Sequence, residues 1–506
     1  MRHFLSRFTS DNGDGTYRNP VLRADWSDPD AIRVGGDFYL VASSFHRVPG
    51  LPILHSRDLV NWTIIGHALD RLVPEADFRT PQRGGGVWAP ALRHHAGRYW
   101  IVYPDPDRGL FTTSAEDPAG EWTTPHLLKG GKGLIDPCPL WASDGSAYLV
   151  HGWAKSRAGV NNRLTVHRMS EDATALLDAG EVVIDGDELP GYRTLEGPKF
   201  YERDGWYWIF APAGGVTDGW QSAFRSRDPF GPYEERIVLE QGDTDINGPH
   251  QGAWVTTQDG DDWFLHFQDK GVFGRVVHLQ PMRWNDDGWP VIGDNGQPVT
   301  LHPKPVQGQP PAAPAASDDF TTGIGPQWAW QANPEPDWAA TDPAGLTLTC
   351  VPTDDPDLRH LPNLLGQRLP DGGCRAETTM RLDDAAPGTT AGLAVVGDDY
   401  ACIGLARTND TTTVTCRTAS GGEPPRDNGS PLPIKDATAV IVGVEVDATG
   451  RCQFFAHLPG ETPQPVGEPF QATEGRWVGA ALGLFATGHG TATFDAVRIT
   501  ATDTHA

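Results

Sequence analysis

Over the first 300 residues, short apolar runs alternate with polar tips on a repeated plan. Five segments carry it: DPDAIRVGGDFYLVAS from Asp28, WAPALRHHAGRYWIVY from Trp88, DPCPLWASDGSAYLVHG from Asp136, EGPKFYERDGWYWIFA from Glu196 and HQGAWVTTQDGDDWFLHF from His250. Each begins with a polar or aromatic residue near Pro or Gly and runs through a short apolar stretch. It then turns at a Gly (Gly36, Gly97, Gly145, Gly205 or Gly260) and continues as an aromatic-rich strand. A glycine tip between two strand-like runs is a hairpin signal. The starts lie 60, 48, 60 and 54 residues apart. That period leaves room for about four strands per repeat, the pattern of a β-propeller. Later strands are visible in LPILHSRDLVNW, GLFTTSAEDPAGEWT and QSAFRSRDPFGPYEE. The pattern predicts five blades over residues 1–301.

From residue 302 to 317 the chain is rich in Pro and Ala, which reads as a semi-rigid linker. Residues 318–506 hold short alternating runs, AGLTLTC, ATAVIVGVEV, CQFFAHL, VGAALGLFA and TATFDAVRIT, separated by Gly and Asp turns. Alternation of that kind predicts a β-sandwich. The whole chain is therefore expected to be all-β: a five-bladed propeller followed by a sandwich.

Composition agrees and narrows the partners. The 506 residues include 59 Gly, 44 Pro and 18 Trp, a turn-rich and aromatic-rich balance. The net charge of −26 repels nucleic acid and anionic lipid and disfavours a polyanionic substrate, so a neutral substrate is the easier fit. The six cysteines form no CxxC pair, which argues against a zinc ribbon. MRHFLSRFTS lacks the apolar core of a signal peptide, and no stretch approaches a membrane span. A cytoplasmic chain with reduced thiols is the expectation, no membrane partner is predicted, and a homo-oligomer is left open.

The first residues of the five segments are Asp28, Trp88, Asp136, Glu196 and His250. At matching places on innermost strands they would ring the propeller axis. One such acid alone reads best as a cap on backbone N–H groups. Three together, partly buried, carry a large cost unless they serve chemistry. The adjacent His94–His95 pair sits in a hairpin tip and points to opposite faces, as surface histidines do. Asp243, Asp245, Asn247 and Gly248 fit the first places of a calcium loop, but its twelfth place is Trp254 rather than Glu. This stretch reads as a turn into His250.

NPVLRADWSDPDAIRVGGDFYLVASSF, LIDPCPLW and LEGPKFY together resemble the signature regions of glycoside hydrolase family 43, and HQGAW with HFQDKGVFGRVVHLQPMRW extends the likeness through the fifth repeat. The resemblance implies Asp28 as general base, Glu196 as general acid and Asp136 as the acid that tunes and orients Glu196. It implies Phe45, Trp88, Trp153 and Arg275 around the terminal sugar. It places His250 near the axis, beside the Ca2+ or its waters that some relatives hold, while no cofactor is required for the reaction. Asp30 falls at a position without chemistry, in a turn leading into the strand. DDFTTGIGPQWAWQANPEPDW resembles the opening of the jelly-roll (concanavalin A-like) domain of family β-xylosidases, which in relatives can lend a loop to the pocket.

The function this implies is an inverting exo-hydrolase of neutral pentose oligosaccharides, a β-D-xylosidase by preference, with α-L-arabinofuranosidase as the alternative. A non-catalytic carbohydrate-binding propeller, or a scaffold propeller, is the reading from another class. Inversion needs an acid and a base roughly 6.5–9.5 Å apart so that water fits between base and sugar. The acid must hold its proton near neutral pH. Burial and a nearby ionised Asp136 would raise it.

Overall fold

Five four-stranded antiparallel sheets follow one another in a computed structural model that describes residues 8–409, 411–434 and 439–502. The N-terminal stretch from which a missing signal peptide was read therefore lies mostly outside the described residues, as do the first two positions of the ATAVIVGVEV run. Within each sheet the strands are paired in chain order. The innermost strands are Asp30–Val34, Ala91–His95, Leu134–Trp141, Lys199–Arg203 and His250–Thr256. Each opens one of the five repeats, so the fold is a five-bladed β-propeller. The predicted tips are the first hairpins of the blades. In blade IV, Asp204 and Gly205 both have positive φ (52° and 69°), the geometry of a primed two-residue turn matching strand twist.

Apolar side chains alternate along the strands and interlock between neighbouring blades. Ile53 and Leu51 of blade I meet Ile101 and Phe111 of blade II, while Trp208 and Phe210 of blade IV meet Phe264 and Met282 of blade V. Each large side chain so buried contributes about 1.5–3 kcal/mol. Every blade is built from its own consecutive strands, so the ring must be closed by its ends. Thr16–Arg18 pairs with Leu301–Pro303. The Tyr17 hydroxyl and the Asn19 amide both donate to the Leu279 carbonyl of blade V, at 2.7 and 2.8 Å.

Asp30 shows why a strand opens on an acid. It is fully buried, and its Oδ2 accepts hydrogen bonds from the Leu92 N–H (2.7 Å) and Arg93 Nη1 (2.8 Å) of the next blade. Lys199 of blade IV lies 3.9 Å from the same oxygen and donates to the Pro90 carbonyl at 2.8 Å. Arg93 reaches on to Cys138 Sγ of blade III at 2.7 Å. The Asp30 hydrogen bond to a backbone N–H spans two blades instead of closing a local turn. This buried network ties the inner ends of four blades beneath the acids.

The C-terminal part is a β-sandwich of two eight-stranded sheets around one apolar core. All six cysteines are buried and unpaired. Phe273, from a short turn of blade V, belongs to the sandwich core. A two-way backbone bridge joins Val48 to Trp330 (3.0 and 2.6 Å), Asn333 brackets Leu72 with its amide, and Lys270 pairs with Asp371 at 2.8 Å. The two parts thus share an extensive seam.

Candidate functional site

One cavity of about 720 Å³ opens at the axis, and Asp28, Asp136 and Glu196 all line it. They come from blades I, III and IV. Asp28 and Asp136 have φ of 56° and 54°, left-handed values that non-glycine residues seldom adopt. Strain of this kind gathers where geometry serves a site.

Each acid has a different set of partners. Asp28 receives Arg275 Nη1 on Oδ1 at 3.0 Å and the Ser43 hydroxyl on Oδ2 at 2.6 Å. Burial works against the Arg275 charge, but the charges of Asp28, Asp269, Asp25 and Glu196 together outweigh it and hold the guanidinium above its ordinary value. Asp136 Oδ2 accepts the Gly197 N–H at 2.8 Å. Gly197 has φ +60°, and a Cβ there would lie 2.9 Å from the Gln251 side chain, so only glycine presents that N–H without strain. Glu196 Oε1 lies 3.1 Å from His250 Nε2. Burial first, and then the charges of Glu196 and Asp28, push the Asp136 carboxyl well above the usual aspartate range. This differs from the expectation of an Asp136 that simply stays ionised.

Phe45 and Trp88 line the cavity, with ring centroids 6.4 Å apart, and Arg275 forms part of its wall. Trp153 does not reach it. That residue pairs with Leu134, packs its ring in the core between blades II and III, and donates its indole N–H to Thr165 Oγ1 at 2.9 Å. Strand alternation turns it away from the sugar side. His250 is 1% exposed and touches the cavity only through Glu196. Among the described residues no group of three or more His, Cys, Asp or Glu side chains is arranged to hold a metal. A hard cation such as Ca2+ takes six to eight oxygens, so the residues around His250 do not fit Ca2+ as direct ligands. The Asp243 stretch is a turn: Asn247 donates to the Thr217 carbonyl at 3.0 Å and accepts from Gln268 at 2.7 Å.

The sandwich supplies one wall, which no motif in the propeller half announces. Glu474, Gly475, Arg476, Trp477 and Val478 line the cavity together with Asp398. Trp477, 43% exposed, meets Trp88 edge-on at 6.2 Å, and Arg157 lies over the other ring of that pair, 5.2 Å from Trp88. Asp398 holds the loop by donating its N–H to the Glu474 carbonyl at 2.8 Å, and Arg83 in turn donates to the Gly397 carbonyl at 2.7 Å and pairs with Asp398 at 3.0 Å. Aromatic rings, amides and carboxyls around a half-open hollow suit a sugar ring, with its alternating apolar faces and hydroxyl edges.

An acid-lined hollow at the axis of a five-bladed propeller defines a carbohydrate-active site. Residues 17–290 match the family described as Glycosyl hydrolases family 43, and residues 317–500 match the Beta xylosidase C-terminal Concanavalin A-like domain. The chain is 39% identical over 490 residues to a protein of Xylanibacter ruminicola whose name assigns it provisionally to the β-xylosidases, covering 94% of this chain and 87% of that one. It is 29% identical over 404 residues to a non-reducing end α-L-arabinofuranosidase of Bacteroides ovatus, covering 76% and 74%. Its fold superposes on a xylan β-1,4-xylosidase from Bacillus halodurans with a TM-score of 0.85 at 24% identity, over 96% of this chain and 99% of that one. The chain belongs to glycoside hydrolase family 43 and is a glycoside hydrolase. Among the described residues no helix is long and apolar enough to cross a membrane.

Proposed function

We propose that the site removes terminal pentose units from neutral oligosaccharides with inversion, as a β-D-xylosidase. The observation that carries this reading is the meeting of Asp28, Asp136 and Glu196, from three separate blades, in one cavity that the sandwich loop walls on one side. A hollow blocked at one end accepts a chain terminus and excludes an internal segment.

In this reading Glu196 protonates the leaving oxygen while Asp28 takes a proton from the attacking water, and the sugar passes through an oxocarbenium-like state. Asp28, with a hydrogen bond on each oxygen, is held in place as an acceptor. Asp136 is pushed well above the usual aspartate range by burial and then by the charges of Glu196 and Asp28, and by accepting the Gly197 N–H it positions the backbone that carries the Glu196 carboxyl. His250 orients that carboxyl. Phe45, Trp88 and Arg275 hold the terminal ring. The chemistry so described uses no metal ion.

Substituting Glu196→Gln tests the assignment. General-acid catalysis is worth about 10²–10⁴-fold, so hydrolysis of xylobiose should fall by that order while aryl xylosides with good leaving groups lose far less. An unchanged rate on xylobiose removes Glu196 as the acid. Xylopyranose and arabinofuranose present similar hydroxyl patterns, and the similarity to the Bacteroides ovatus enzyme favours α-L-arabinofuranosidase as the second reading. The ratio of kcat/KM for aryl β-D-xyloside and aryl α-L-arabinofuranoside decides between them.

A further inference from the structure

The seam between propeller and sandwich runs beside the sugar cavity. It encloses a small cavity of about 20 Å³, lined among others by Asp25, Arg47, His67, Gln367 and Arg368. That is room for about one water-sized particle. Ser43, Phe45 and Val478 also line it. Ser43 is the residue that donates to Asp28, and Phe45 and Val478 face the sugar cavity as well. The small cavity therefore adjoins the residues that seat the general base.

Two of its charged groups are guanidinium ions. The Arg47 guanidinium has no hydrogen bond or ion pair with any described residue, although burial lowers its affinity for its proton. Arg368 donates Nε–H to the Asp25 carbonyl at 2.5 Å and lies 3.9 Å above the Trp26 ring, again without a carboxylate partner among the described residues. Burial pushes Arg368 down to about 10, opposed by the Asp25 charge and aided by that of Arg47. Gln367 is 3% exposed, and its Nε2 has no acceptor among the described residues. Burial, then Arg368, pushes His67 down to about 3, so it adds no charge. Asp25 is the one carboxylate of the lining. Its oxygens are occupied by the Ser27 hydroxyl (2.9 Å), the Arg275 N–H (3.0 Å) and the Gly479 N–H (3.1 Å). Two guanidinium ions and the orphaned Gln367 amide thus face the cell, together with one orphaned acceptor, the buried Gln327 Oε1. A water molecule would satisfy the two amides but leave both half-buried guanidinium ions without a counter-ion. A single anion beside them supplies that charge.

We propose that this seam cavity binds one small monovalent anion of the halide class, held by Arg47, Arg368 and the Gln367 amide. The size of the cell favours a monatomic ion over phosphate or sulfate. Occupancy joins Arg47 of the propeller to Arg368 of the sandwich and steadies the Ser43 and Asp25 contacts behind Asp28 and Arg275.

Two measurements test it. Crystals soaked in bromide should show an anomalous peak between Arg47 and Arg368. At constant ionic strength, replacing gluconate by chloride should raise Tm along a saturating curve, by roughly 1–3 °C. Arg47→Met and Arg368→Met should each flatten that curve. Anomalous density absent from the seam, or a Tm that follows ionic strength equally in chloride and gluconate, overturns the proposal. Should either variant fail to fold, the diffraction result on the unaltered chain decides alone.

Discussion

Asp136 sits where its ionised form is poorly tolerated, and that has a measurable price in stability. Its carboxyl is raised by burial and by the charges of Glu196 and Asp28. A carboxyl raised in the folded state contributes stability below its unfolded pKa and loses it as pH rises through the folded value. At neutral pH the residue is therefore a net burden on folding, kept for function. Asp136→Asn should leave Tm at pH 7 unchanged or higher while activity falls, and thermal melts at pH 4 and pH 7 should show the mutant's relative gain only at the higher pH. A lower Tm at pH 7 would contradict that balance. Arg275 is the opposite case, a buried cation with a defined partner. Arg275→Met should reduce kcat/KM by about 10²-fold, the scale expected when a reacting group loses its placement, and Arg275→Lys should restore little, because a point charge does not reproduce the fork geometry. Steady-state kinetics on an aryl xyloside decides this. The three acids were legible in the sequence because each opens a repeat beside Pro or Gly. Ser43 was not, since a serine at a strand end carries no distinguishing pattern. Trp153 was misplaced because aromatic type does not reveal which face of a strand a side chain occupies.

Among the elements, the blade hairpins follow directly from local chemistry: alternating apolar positions set the strands and glycine tips set the turns. The 473–479 loop does not. Its position depends on pairing with Asp398 and with Asp25, the latter hundreds of residues away, and no local period records such contacts. Its chemical offering is Trp477, standing beside Trp88 at the mouth of the cavity. Stacking of this kind is worth about 0.5–1.5 kcal/mol, so Trp477→Ala should raise KM for xylotriose between about two- and tenfold. The change for a small aryl xyloside should be weaker. Equal effects on both substrates would place Trp477 outside the contact with the sugar next to the scissile bond.

For the whole molecule, the five-blade count and the sandwich were readable from periodicity, whereas the dependence of one part on the other was not. Phe273 of the propeller is buried in the sandwich core, and the sandwich walls the catalytic hollow. A chain ending near residue 317 would expose both Phe273 and the Val48 edge to water. Such a truncated propeller should aggregate or melt well below the full chain, with xylobiose turnover lost. A truncated form that remained fully active would show that the loop contributes nothing. The central claim is narrower: Glu196 as acid and Asp28 as base act on opposite faces of one sugar ring, with a water between base and sugar. Time-resolved proton NMR of xylobiose hydrolysis tests it most directly. The account predicts α-xylose as the first anomer released from the non-reducing end, with β-xylose accumulating later by mutarotation. If β-xylose appears first from that end, the attacking group is not a water activated by Asp28, and the account is wrong.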